Sequence, residues 1–234
     1  MPQGTFTNSW ISQAANILFC GSAAPDTTKF YLGLANTNAL TRANTIVDFV
    51  SNELLATDGY ARSQLILPNN GSYNTSNNRQ ELPTATITFT AQNTWQFQTV
   101  FLLANGHPVA SLPFTSSNVN SATDRITIAN HPWVSGDRLI FTADSTATLP
   151  TGINQATVYQ VLSPTTNDFA LGQVVSSTPI NIQDTGSGTF RARSANGMVA
   201  AFAVESSLIT LLAASSYSYQ IPLVLLNTGL VSGN

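Results

Sequence analysis

The sequence predicts a mainly β fold: a β-sandwich-like main domain with one or two short helices, and a small β-barrel or sandwich domain inserted into it. Three observations support this prediction. Several segments alternate apolar and polar residues, as in TATITFTA, and this pattern is typical of half-buried strands. Short strand-like segments separated by turn residues follow one another from Ile126 to Arg193. Only two segments show helical periodicity, and 234 residues suffice for one large or two small domains.

The first helix is predicted in NSWISQAANILFCG. Asn8 or Ser9 can serve as its N-cap, and Gly21 can end it. One face of this helix carries Trp10, Ala14, Ile17 and Leu18. A second, short helix is predicted in TIVDFVSNELLA, where one face carries Ile46, Phe49, Val50 and Leu54.

The main domain is predicted to comprise residues 1–118 and 195–234. Its strands are expected in KFYLGLANT, ARSQLIL, TATITFTA, TWQFQTVFLLANG, MVAAFAV and SYSYQIPLVLL. TATITFTA is expected to bury Ala85, Ile87 and Phe89, and SYSYQIPLVLL to alternate at Ile221, Leu223 and Leu225. The segment NNGSYNTSNNRQ is polar and predicts a loop or a hairpin tip.

Residues 119–194 are predicted to form the inserted β-domain. Its strands are expected in RITIA, RLIFTA, TVYQVLS, DFALG, INIQ and GTFRARS. The composition of TSSNVNSATD, residues 115–124, predicts a linker at the point of insertion.

The surface is predicted to be polar but nearly uncharged. Charged residues make up 8% of the chain, against roughly 25% in an average soluble domain. A neutral surface gives little repulsion between molecules, which favours a chain that functions within an assembly. The net charge of −3 and the single lysine, Lys29, argue against nucleic acid or an anionic membrane as a partner. The sequence also predicts no membrane span and no secretory leader, hence a cytosolic origin before assembly.

Cysteine and histidine are too rare to predict a site. Cys20 is the only cysteine, so no disulfide within the chain can form, and its apolar surroundings predict burial. His107 and His131 each precede a proline beside a predicted strand, which indicates turns rather than ligands or bases. DTGSG, residues 184–188, is interpreted as a hairpin turn. We therefore predict no catalytic residue, cofactor or metal site, and expect Trp133 to cover one end of the inserted domain.

Two stretches carry a resemblance to a known family. The succession FYLGLANT, SNELLATDGYAR, TATITFTA, TWQFQTVFLLAN and MVAAFAV resembles a family of small virion proteins of tailed bacteriophages. Glu53, Asp58, Gly59 and Tyr60 lie at a turn of that pattern, and Trp95 takes the position of its tryptophan. The first glycine of the family's turn is absent here, where Ala56 lies nearby.

The insertion resembles a β-module that occurs in many phage head, tail and fibre proteins. The first half of the matching pattern consists of Asp124, Ile126, Thr127, Ile128, Asn130, His131, Gly136, Asp137, Leu139, Phe141 and Thr142. The second half consists of Leu149, Pro150, Gly152, Ile153, Tyr159, Val161, Asp168, Phe169, Leu171, Gly186, Gly188 and Thr189.

The resemblance implies a structural virion protein without enzymatic activity, and a capsid cement or decoration protein is the first expectation. Such a protein would bind the major capsid protein and itself, as a homo-oligomer for which a trimer is the natural form. Phe6, Trp10 and Trp133 are the expected contacts with a partner. The alternatives are a tail, baseplate or fibre component, or a glycan-binding adhesin with a sugar platform formed by Trp133, Tyr159 and Asn130. A hydrolase is the least favoured hypothesis for the function.

Overall fold

A computed structural model describes residues 5–20, 22–66, 72–74, 79–81, 84–221 and 224–226. Within these ranges the chain is mainly β, with two α-helices and four antiparallel sheets. The helices are α1 (Asn8–Cys20) and α2 (Ile46–Ser51). The strands are β1 (Thr5–Phe6), β2 (Phe30–Ala35), β3 (Ser63–Leu65), β4 (Ser72–Asn74), β5 (Arg79–Glu81), β6 (Ala85–Thr90), β7 (Trp95–Ala104), β8 (Ser111–Thr115), β9 (Val119–Asn120), β10 (Arg125–Thr127), β11 (Arg138–Ala143), β12 (Tyr159–Leu162), β13 (Asp168–Gln173), β14 (Thr189–Ser194), β15 (Met198–Leu211), β16 (Ser216–Ile221) and β17 (Val224–Leu226).

The main part of the chain is built on a five-stranded sheet with the order β1-β15-β7-β2-β3. Both faces of its central strand β7 are covered. On one face, Phe49 of α2 packs against Phe101 and Phe202, with ring centroids 5.5 and 5.3 Å apart. On the other face, Phe97 contacts Tyr217 of the two-stranded ribbon β6–β16 at 5.0 Å. This layering explains why residues 100–104 of β7 are all apolar, whereas β6 alternates as predicted.

Residues 111–194 form a seven-stranded sheet with the order β8-β14-β11-β12-β13-β10-β9. All seven strands contribute buried side chains to one core, so the sheet curves around that core. The sheet is nevertheless open, with β8 and β9 at its two ends, and no closed barrel is present in the described part of the chain.

The predicted linker at residues 115–124 is wrong. Ser116–Asn118 form a 3₁₀ turn, and β9 follows it and pairs with β10. Val119 is buried in the core of the seven-stranded sheet, and the polar neighbours that suggested a linker form turn hydrogen bonds instead. β8 lies before the predicted boundary, yet it pairs with β14 of the insertion. INIQ, residues 180–183, is not a strand either, although the Ile180 N–H donates to the Leu171 carbonyl at 2.8 Å.

Two details at the first helix differ from the sequence predictions. The N-cap is Thr7, whose hydroxyl accepts a hydrogen bond from the Trp10 N–H at 3.2 Å, rather than Asn8 or Ser9. Cys20 is exposed rather than buried. Gly21, the predicted end of the helix, lies outside the described residues. The side chains of Leu18, Ile221, Leu223 and Leu225 also lie outside the described residues.

The segment predicted as a loop or hairpin tip, residues 69–80, contains most of the hairpin β4–β5.

Candidate functional site

A cluster of buried polar side chains lies where the two large sheets meet. It consists of Glu53, Tyr60, Arg62, Arg193 and Ser194, hereafter the junction cluster. Arg62 and Glu53 form a two-pronged ion pair with distances of 2.8 and 2.6 Å, and both side chains are fully buried. Tyr60 donates its hydroxyl hydrogen to Glu53 at 2.8 Å and accepts one from the Leu34 N–H at 2.9 Å. The carboxylate is therefore held by three donors from two side chains.

The remaining donors of Arg62 tie the two parts of the chain together. One Nη1–H is directed to the carbonyl oxygen of His107, in the loop after β7, at 2.9 Å. The Nη2 group donates to the carbonyl oxygen of Ser194, at the end of β14, also at 2.9 Å. A single guanidinium thus contacts both the five-stranded and the seven-stranded sheet regions.

Arg193 makes the reverse connection, from the seven-stranded sheet to α2. Its Nη1 group donates to the carbonyl oxygens of Val50 and Glu53 at 2.8 and 2.9 Å. These carbonyls lie at and just after the C-terminus of α2, where backbone oxygens lack partners within the helix and favour a cation. Ile140 and Ala195 pack against Val50 beside this contact, so the junction combines polar and apolar contacts.

The protonation states of the cluster follow from burial and pairing. Burial raises the pKa of Tyr60 well above its usual value, and the Glu53 carboxylate adds to the shift, so the phenol stays neutral. Burial disfavours the charge of Arg62, but the neighbouring Glu53 carboxylate and its hydrogen bonds outweigh this effect and raise the pKa of the guanidinium. Within the cluster, Glu53 and Arg62 form the ion pair and Tyr60 adds a neutral donor, which is an arrangement for cohesion.

An open cleft of about 340 Å³ lies next to the junction cluster. This junction cleft is bordered by residues of both histidine-proline pairs, His107 and Pro108 on one side and Pro132 on the other. Its charged lining residues are Lys29, Asp137 and Arg138. Burial lowers the pKa of His107, and the nearby Asp137 carboxylate offsets this only in part. The imidazole is therefore neutral at pH 7.

His131 and Trp133 are part of the core beneath this cleft. Trp133 is 2% exposed, stacks on His131 at 5.6 Å and donates its indole N–H to the Ser194 hydroxyl at 2.8 Å. Its burial corrects the prediction that Trp133 contacts a partner, because the folded chain leaves no accessible face on the ring. Tyr159 is fully buried as well, so these two aromatic residues cannot form the sugar platform considered above together with Asn130.

The other two predicted contact residues lie at the N-terminal end. Phe6 in β1 is 51% exposed, and the described part of its strand pairs with Ala201 and Phe202 of β15. Trp10 is partly buried and packs edge-on against Phe30, with ring centroids 6.5 Å apart. Phe6 is thus accessible, whereas much of Trp10 belongs to the main core. Whether either residue touches a partner stays a prediction.

Sequence reasoning did not find the Glu53–Arg62 pair. A signal was present, since Glu53, Asp58 and Arg62 lie close together in a chain of which only 8% is charged. Glu53 and Tyr60 were noted as turn residues of the resemblance, and the structure shows that they are hydrogen-bond partners. The sequence does not reveal the role of Arg62, because its partners His107 and Ser194 are distant in sequence.

Comparison of the chain with protein-family models, with curated proteins and with solved structures found no match. Among the described residues, no group of three or more histidine, cysteine and acidic side chains is arranged to hold a metal ion. In the same part of the chain, no helix has the length and apolar character needed to cross a bilayer.

Proposed function

We propose that this chain is a structural component of a tailed-bacteriophage virion, namely a capsid cement or decoration protein that stabilises the head by binding the major capsid protein. The observation that supports the proposal is the role of the acidic residues in the pattern that resembles a phage β-module. Its acidic residues accept backbone hydrogen bonds: Asp124 accepts one from the distant Ile182 N–H at 2.7 Å, and Asp137 accepts one from the Val134 N–H within its own turn at 2.8 Å. These residues act as scaffold, which supports a building block rather than a reaction centre.

The junction cluster and the polar surface also support this role. A cement protein must transmit load between its parts, and the Arg62 and Arg193 contacts fasten the inserted sheet to the main sheet. The surface is rich in hydroxyl and amide groups, which can form many neutral hydrogen bonds with a neighbouring subunit. The exposed Phe6, on an edge strand, is a suitable contact with the capsid or with a second copy, and a trimer is the proposed assembly.

The copy number of the chain in purified phage particles tests the proposal. Quantitative mass spectrometry against the major capsid protein is expected to give a ratio near one to one. A few copies per particle would replace the cement role with a tail, baseplate or fibre role. Absence from purified particles would overturn the virion role altogether.

A further inference from the structure

The junction cleft concentrates cationic groups of a chain that has few of them. Lysine and arginine together number eight, and two of them, Lys29 and Arg138, line this one cleft. Most other cations of the described residues are already engaged: Arg62 and Arg193 are buried in the junction cluster, Arg125 pairs with Asp168, and Arg191 pairs with Asp144.

The two cations of the cleft are available to a ligand. Arg138 is exposed and belongs to none of the ion pairs found among the described residues. Lys29 lies 3.8 Å from Asp26, and the two side chains are 59% and 45% exposed. An ion pair with such exposure is weak, so the ammonium group can also bind a second anion.

The acid of the cleft, Asp137, offsets one of the two positive charges, and both of its oxygens already have hydrogen-bond partners. One oxygen of Asp137 accepts the Val134 N–H at 2.8 Å, and the other accepts an amide hydrogen of Asn196 at 2.7 Å. His107 adds a donor. Its Nδ1 accepts the Val109 N–H at 3.1 Å, so the neutral ring carries its proton on Nε2.

We propose that the junction cleft binds a carboxylate group, with Arg138 and Lys29 supplying positive charge and His107 a neutral N–H donor. The planar guanidinium fork of Arg138 matches the two oxygens of a carboxylate. The volume of about 340 Å³ suits one small acid or one acidic side chain. A free small acid and a glutamate or aspartate of a neighbouring polypeptide share this chemistry. This inference does not depend on a virion role.

Titration of the full chain with two matched pairs of ligands tests the proposal. Binding is detected by ¹H–¹⁵N NMR at low salt. The first pair is glutarate and its neutral analogue glutaramide; the second is acetyl-Gly-Glu-Gly-amide and its glutamine counterpart. Saturable shifts around residues 105–107, 134–138 and 196–197 are expected with the acids and not with the amides. Similar affinities for glutarate and the glutamate peptide would identify a general carboxylate site, and binding of the peptide alone would identify a polypeptide side chain as the ligand.

Substitutions distinguish specific binding in the cleft from nonspecific electrostatic attraction to the protein. Arg138→Gln and Lys29→Gln are each expected to weaken binding by about tenfold, as the loss of a charge-assisted hydrogen bond predicts. Arg42→Gln removes the same charge at another exposed position and is expected to leave binding unchanged. No saturable binding of either acid, or equal weakening by all three substitutions, would overturn the proposal. All three side chains are exposed, and the spectra themselves report whether each variant is folded.

Discussion

Arg62 and Ser194 are 132 positions apart in the chain, yet the Arg62 guanidinium donates to the Ser194 carbonyl oxygen at 2.9 Å. This bond spans the insertion, because Arg62 precedes the seven-stranded sheet and Ser194 ends its strand β14. The same guanidinium neutralises Glu53. One side chain, Arg62, therefore connects the segments on either side of the insertion and also neutralises a buried carboxylate.

Arg62→Met is expected to destabilise the protein by about 3–5 kcal/mol, because it leaves the Glu53 carboxylate buried without its cation. Urea unfolding measures the loss. Arg125→Met is the matched control, since Arg125 pairs with Asp168 in a partly exposed position, where an ion pair contributes about 1 kcal/mol. The double variant Arg62→Met/Glu53→Gln is expected to recover part of the loss. A cost for Arg62→Met no larger than that of the control would contradict the prediction.

Arg193→Met is expected to loosen α2. The substitution removes two hydrogen bonds from a buried guanidinium to the Val50 and Glu53 carbonyls, each worth about 1.5–3 kcal/mol. Amide hydrogen exchange in residues 49–54 should accelerate more than exchange in β7. Arg191→Met changes the same strand at a pair with the partly exposed Asp144 and should leave α2 protected. Equal effects of both substitutions on α2 would show that Arg193 has no special role there.

The local parts of this fold were predictable, and the long-range parts were not. Alternation in TATITFTA placed Ala85, Ile87 and Phe89 on the inward face because a strand exposes every second residue to one side. The mainly β class and the first helix followed from equally local patterns. Val119 shows the limit: a single apolar residue within a polar segment gave no periodicity, yet it is buried at the edge of a sheet.

The junction was unpredictable for the same physical reason. The partners of Arg62 are determined by the pairing of strands separated by the whole insertion, and no short-range pattern encodes that pairing. The prediction that the two histidine-proline pairs form turns concerned only neighbouring residues. It could not foresee that Pro108 and Pro132 would border one cleft.

Trp133→Ala is expected to cost about 3–5 kcal/mol, the usual range for deleting a large core side chain. The substitution also leaves the Ser194 hydroxyl without its indole donor. Thermal unfolding measures the effect. Val134→Ala is the control, because Val134 is next in the chain but 63% exposed, and its cost should be below about 0.5 kcal/mol. A small loss for Trp133→Ala would mean that the ring is not part of the core.

Gly33→Ala is expected to destabilise the five-stranded sheet by about 1–3 kcal/mol, since an added methyl group overpacks the core. A Cβ at Gly33 would lie 2.3 Å from the Phe101 Cζ atom. Phe101→Leu removes that ring edge, so the double variant should lose less stability than the two single losses added together. Chemical denaturation of all four proteins gives this coupling, and strictly additive losses would exclude the clash as the cause.

The stability difference between the wild type and Arg125→Met is expected to depend on pH. The hydrogen bond from Arg125 is the main reason that the pKa of Asp168 lies below its ordinary value of 3.8. A carboxyl whose folded-state pKa is lowered stabilises the protein above its unfolded-state pKa, and that contribution is lost as the pH falls through the folded-state value. The difference should therefore be full above about pH 5 and shrink towards pH 2.

Asp184→Asn is the control, because the pKa of Asp184 is lowered by Thr151 and the backbone rather than by a cation. The loss of stability caused by Asp184→Asn should be the same in the wild type and in the Arg125→Met variant. Urea unfolding at several pH values measures both effects, and a difference between wild type and Arg125→Met that is constant from pH 7 to pH 2 would show that Arg125 does not stabilise the Asp168 carboxylate.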